Sequence, residues 1–248
     1  MASTSETGHA KNVSSFDELI SFATGYGATF NPSKTSMKLP ALQTQGTAAK
    51  SSISAVNTAL SAYSNAVSAR EVAFEPLSKL STRILNALKA TDTSTQVDES
   101  AETFIRKIQG RRATAKKTDA EKQALAAEGT VVKEVSTSQM SYDSRLDSFD
   151  KLIKLLTSVP LYAPNEADLK VATLTALYTD FKTKNAAVVN ANTALSNARI
   201  ARNDVMYKPN TGLVDVALDT KSYIKSVYGA SSPQYKQVSK LAFKVIPN

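Results

Sequence analysis

The chain has 248 residues, a formal net charge of +8 and 42 % apolar residues, with no cysteine and no tryptophan. The apolar share suffices for a buried core in one large domain or two small ones. The missing cysteine excludes disulfides, thiolate chemistry and every cysteine-based zinc or iron–sulfur site.

Eight Gly and eight Pro against abundant Ala, Ser, Lys and Leu favour helices, since alanine loses no rotamer entropy there. Residues 1–14 are polar and lack an apolar h-region, so they predict a solvated tail and no secretory signal. His9, the only histidine, falls in that tail. A short helix is predicted over residues 15–24, capped by Ser14 or Ser15. Gly25-Tyr26-Gly27 forms the loop after it, and a long helix follows, which Pro40 and Gly46 should kink or delay. Its seam runs through Leu42, Ala49, Ile53, Val56, Leu60, Tyr63 and Val67 in three- and four-residue steps, a coiled-coil spacing. Beyond Pro76 the pattern predicts helices near 77–90 and 96–108. Within 111–147, residues 119–128 are helix-like and Thr130-Val131-Val132 reads as extended. A second series follows: a helix over 148–157 capped by Ser148, a long helix from an Asn165 cap to Tyr207, then helices near 211–228 and 233–243. Its seam is Leu174, Leu177, Phe181, Val188, Ala191, Leu195 and Ala198, interrupted by Lys184.

The two series share landmarks in the same order. Phe16-Asp17-Glu18-Leu19-Ile20 returns as Phe149-Asp150-Lys151-Leu152-Ile153, and Phe74-Glu75-Pro76 as Tyr207-Lys208-Pro209. Phe30-Asn31-Pro32 pairs with Tyr162-Ala163-Pro164, and Met37-Lys38 with Leu169-Lys170. Asn57-Thr58-Ala59-Leu60-Ser61 recurs letter for letter from Asn192 to Ser196. The expected fold is all-α, an elongated antiparallel helical bundle built from two tandem copies of one helical unit. The expected divisions are a polar tail at 1–14, one unit at 15–110, a basic and polar linker at 111–147, and a second unit at 148–248.

No catalytic, cofactor or metal constellation stands out, and no cofactor or small-molecule substrate is expected. One histidine cannot furnish a catalytic triad in the folded body or a Glu-x-x-His di-metal site. Asp143, Asp147 and Asp150, Glu71 and Glu75, and Asp215 and Asp219 share helix faces, but Arg70, Arg145, Lys151, Lys208 and Lys221 lie beside them, as on ordinary solvated faces. Gly25-Tyr26-Gly27 lacks the preceding strand of a phosphate loop. Arg106, Lys107, Arg111, Arg112, Lys116 and Lys117 form an acid-free basic cluster, a candidate for anion or nucleic-acid contact without interleaved aromatics. Lys221, Lys225, Lys236, Lys240 and Lys244 form a second. Tyr26, Phe30, Tyr162 and Tyr228 fall near predicted helix ends and are the candidate interface anchors.

FDKLIKLL, PNEADLKVATL and NTALSNARIARN resemble an uncharacterised conserved helical protein family of Bacteroidota-type bacteria, over nearly the whole chain. The resemblance implies a bacterial cytoplasmic setting and brings no activity or site. The expected function is a non-enzymatic structural or interaction protein that self-associates through helical surfaces into a homo-oligomer, head to tail as a ring or filament. The alternative is a basic nucleic-acid-associated protein that binds without sequence preference. No run of 18 apolar residues exists, so no membrane partner is expected.

Overall fold

A computed structural model describes residues 8–111 and 140–246, together with 118, 120, 123, 124 and 127. Among the described residues the protein is all-helical, with no strand. The elements are α1 (His9–Gly25), α2 (Leu39–Phe74), α3 (Leu77–Lys89), α4 (Thr95–Gln109), α5 (Tyr142–Thr157), α6 (Val171–Tyr207), α7 (Leu213–Tyr228) and α8 (Pro233–Ser239). Short 3₁₀ turns occupy Gly27–Thr29, Thr35–Met37 and Ala167–Leu169. No helix among the described residues is long and apolar enough to cross a membrane. The extended reading of Val131 and its neighbours, and most of the expected 119–128 helix, lie outside the described residues.

Several expected boundaries move. α1 opens at His9 and α5 at Tyr142, each six residues before its expected start at Ser15 or Ser148. The expected tail at 1–14 and the expected linker ending at 147 are both shortened. The reason is burial: Asn12 and Val13 face the core, as does Leu146. Ser15 and Ser148 sit inside their helices and are buried, so neither caps. Ser141 caps α5, its Oγ accepting from Ser144 N at 3.1 Å. Pro40 stands in the first turn of α2, where a missing N–H costs no helical bond. Gly46 interrupts nothing; a Cβ there would lie 3.2 Å from Ile20 Cδ1 and 3.6 Å from Phe16 Cδ1, so its bareness lets α1 approach closely. Gly212 precedes α7 with the Lys208 backbone so near that a Cβ would lie 2.6 Å from Lys208 N.

The chain divides into two compact units, and neither matches an expected copy. The first unit joins residues from 1–64 and 191–248. Its core packs Phe16, Leu19 and Leu42 with Met206, Leu213, Val216 and Ile224. Within it α1 lies against α7 and α8. The second unit comprises residues from 65–190. Its core packs Phe74, Leu77, Ile84 and Leu88 with Phe149, Leu152, Leu174 and Phe181. Within it α4 lies against α3 and α5. Each core therefore draws the opening of one series and the close of the other, rather than one series alone.

The buried faces of the long helices keep one register. Leu42, Ala49 and Val56 are buried on α2, and Leu174, Phe181 and Val188 on α6, each pair 132 residues apart. Ile53 and Val67 are only half-buried, while Val188 and Leu195 are buried as expected. Leu60, an expected core residue, is 43 % exposed, whereas Leu195 is 3 % exposed. The identical Asn-Thr-Ala-Leu-Ser stretches lie 135 residues apart, three out of register, so their leucines face different surroundings. After Val56 the partly buried positions are Ala59, Tyr63, Ala66 and Val67, and Leu60 is left outside them.

Candidate functional site

In the first unit, the early start of α1 brings His9 and Asn12 to the end of α6. Asn12 is 3 % exposed. Its Nδ2 donates to Lys244 O at 2.7 Å and its Oδ1 accepts from Lys244 N at 3.0 Å, which pins the segment after α8. The Tyr207 hydroxyl lies 2.6 Å from His9 Nδ1 and accepts from Asn12 Nδ2 at 3.4 Å. Burial, then the Arg202 guanidinium, holds the His9 imidazole below its ordinary value, since both disfavour the added charge. A cleft of about 340 Å³ lies beside these groups, lined by Gly8, His9, Ala10, Lys11, Ile53, Val56, Asn57 and Arg202.

The matching corner of the second unit carries different chemistry. Arg70 stands 3.9 Å over the Tyr142 ring and donates from Nη1 to Asn185 Oδ1 at 3.0 Å. Asn185 in turn donates from Nδ2 to Asp143 Oδ1 at 2.7 Å. Arg145 lies 5.3 Å over the Phe74 ring and donates to Phe74 O at 3.3 Å; burial pushes its guanidinium down.

The same unit holds a cleft of about 470 Å³ between α3 and the loop before α6. Ala87, Asn86, Arg83, Leu161, Tyr162, Asn165, Glu166 and Leu169 are among its lining residues. The Tyr162 hydroxyl donates to Leu169 O at 2.9 Å, and burial, with Glu166 and Asp168 nearby, pushes its phenol up to about 12. Arg83 and Asp168 pair at the surface, a bond that holds the Asp168 carboxyl below its usual range.

The expected site residues are dispersed. Among the interface candidates, Phe30 and Tyr162 are buried, 8 % and 6 % exposed. Phe30 meets Tyr223 edge to face at 5.5 Å. Tyr26 and Tyr228 pack on one another at 5.2 Å; Tyr26 donates to Gln234 O, and Tyr228 bonds to Thr29. All four rings close helix junctions inside their own units, because a chain reversal leaves a corner that a large planar side chain fills. Of the first basic cluster, Arg112, Lys116 and Lys117 lie outside the described residues. Arg106 and Lys107 occupy the last turn of α4, where cations complement the helix dipole, and Arg111 is exposed just past it. In the second cluster Lys221 turns inward and donates to Leu241 O at 2.7 Å.

The named aspartates have partners, Asp143 in Asn185 as above. Asp147 pairs with Lys151, Asp150 with Lys154 and Asp219 with Lys34, while Asp215 accepts from Asn210 N. Among the described residues no three His, Asp or Glu gather as a metal site. His9 is no free tail residue, since its ring contacts Tyr207. Asn12, Tyr207, Arg202 and the Ala87 cleft were not foreseen. A legible signal existed for Asn12: with Val13, Phe16 and Leu19 it continues the helical row upstream, but its polar side chain masks the burial. Comparison with protein-family models, curated proteins and solved structures finds no match.

Proposed function

We propose that the chain is a tandem duplication whose copies exchange halves, and that it acts as a non-enzymatic protein that self-associates by repeating this exchange between molecules. The observation that carries the reading is the make-up of the first unit, where residues from 1–64 and 191–248 share one core. An opening helix, a long helix and two further helices follow one another twice among the described residues, with a 3₁₀ turn just before each long helix (Thr35–Met37 and Ala167–Leu169) and α2 and α6 buried in one register, which supports the duplication. A neighbour that supplies the opening segment meets the same side chains that the chain's own segment meets, so the exchanged contact needs no new surface. Such domain swapping is a low-cost route to oligomers, and a head-to-tail exchange closes into a ring or runs on as a filament. The +8 charge opposes this at low salt.

The test uses the cysteine-free chain. A cysteine in place of the exposed Ser51 gives a single labelling point. Donor- and acceptor-labelled populations are unfolded, mixed and refolded together at moderate salt. Energy transfer between labels, with a mass by light scattering that rises with concentration, is the expected result. A constant monomer mass without transfer at the highest soluble concentration overturns the proposal.

A further inference from the structure

We propose that the cleft between α3 and the loop before α6 binds a hydroxyaryl ring, of which the tyrosine side chain of a polypeptide is the form the other unit displays. In the first unit Tyr223, on α7, lies edge to face on Phe30 at 5.5 Å, and its hydroxyl accepts from Asn31 N at 3.1 Å. That ring fills the corner between α7 and the loop before α2.

The second unit has the same corner without the ring. The buried face of α3, Leu77, Ser81, Ile84 and Leu88, matches Leu213, Ala217, Thr220 and Ile224 on α7, each pair 136 residues apart. In the loops, buried Phe30 matches buried Tyr162, and Met37 matches Leu169, each 132 residues apart. On this register the counterpart of Tyr223 is Ala87, and the cleft of about 470 Å³ opens where the ring would stand. Its size lies within the range of pockets that enclose small ligands.

The walls suit an aromatic ring with a polar edge. Tyr162 lines the cleft at the position that Phe30 holds beside Tyr223, while its own hydroxyl is held by Leu169 O. Leu161 is 54 % exposed and forms an apolar lip. The Ala163 N–H, counterpart of the Asn31 donor, is held by Leu161 O at 3.0 Å. The incoming hydroxyl therefore meets the side-chain amides of Asn86 and Asn165 at the rim. Lys34 pairs with Asp219 across the first corner; on these registers their counterparts are Glu166 and Arg83, and Arg83 pairs instead with Asp168, so each corner carries one ion pair.

The full chain, observed by amide NMR, is titrated with 4-methylphenol, with an acetylated and amidated Gly-Tyr-Gly peptide, and with the corresponding Gly-Ala-Gly peptide. Saturable shifts at Ala87 and the 161–169 loop with the two hydroxyaryl probes, and none with Gly-Ala-Gly, are the expected result. Tighter binding of the tyrosyl peptide assigns the site to a polypeptide partner; tighter binding of 4-methylphenol assigns it to a free phenol. Ala87→Tyr restores the plug of the other unit and should weaken binding at least tenfold. Ala87→Leu, a smaller plug, gives the same readout if the tyrosine variant fails to fold. Absence of saturable shifts up to the solubility limit, or undiminished shifts in the folded plugged variant, overturns the proposal.

Discussion

Ala49 and Phe181 occupy matching positions on α2 and α6, and both are fully buried, yet they fill their cores in opposite ways. Phe181 stacks on Phe74 at 4.3 Å and lies 5.9 Å from Phe149, so the second unit is built round an aromatic trio. On the 132-residue register the residue of the first unit that corresponds to Phe74 is buried Met206, one before the Tyr207 of the expected landmark, and Gly46 admits the α1 side chains close to the α2 backbone. Polar pins differ likewise: Asn12 clamps Lys244 in the first unit, while Arg70 and Arg145 lie on aromatic faces in the second. One burial pattern thus tolerates two distributions of volume, as expected where total volume and patterning are kept.

The sharpest test of that comparison removes the shared ring. Phe16→Ala and Phe149→Ala, both at fully buried positions, should each cost about 3–5 kcal/mol in urea unfolding, from transfer energy plus residual cavity. A much smaller loss at Phe16 would mean that the glycine-lined core collapses around the gap. Next in size is the register test. Leu195→Ala should cost about 2–5 kcal/mol, and Leu60→Ala less than about 1 kcal/mol, the ordinary range for exposed positions. Equal losses would restore the letter-for-letter alignment of the two stretches in place of the 132-residue register.

Asn12→Ala tests the polar clamp peculiar to the first unit. It strands the Lys244 N–H and carbonyl, and should cost about 1–3 kcal/mol in the same measurement. An unchanged midpoint would show that water replaces the amide at no cost. The smallest effect is pH-dependent. His9 titrates below the ordinary imidazole value of about 6.5, so on acidification the unfolded chain takes up this proton first. Stability therefore rises with pH through this window: it is full above the unfolded value and is lost as pH falls toward the folded one. Thermal melts of the wild type and His9→Gln between about pH 7.5 and about pH 5.5 should diverge only on the acid side, with the wild type falling further. Parallel curves would remove His9 from the linkage.

Much of the helical pattern was legible. The rows through Leu42, Ala49 and Val56 and through Leu174, Phe181 and Val188 are local apolar periodicities, and both are buried. Two kinds of position were not legible. Asn12 is buried because a distant backbone segment satisfies both ends of its amide, a partner more than 200 residues away. Phe30 and Tyr162 looked like free aromatics near loops, yet they are buried, because the corners they fill exist only after the chain turns. The Ala87 cleft is invisible for the converse reason: an alanine in a helix signals nothing until the facing loop is in place.

The sequence by itself determined the helices, their apolar faces and the repetition of landmarks, because these depend on spacing within a few turns of one segment. Only the tertiary structure decided which faces meet. The opening helices α1 and α5 carry similar faces, Phe16 with Leu19 and Phe149 with Leu152, and so do the closing helices α3 and α7. A periodicity shared by both series is degenerate as to partner. Each α1-type face could meet either closing helix, and close packing of particular volumes, Gly46 against Phe16 in one core and Phe181 against Phe74 in the other, resolves the choice.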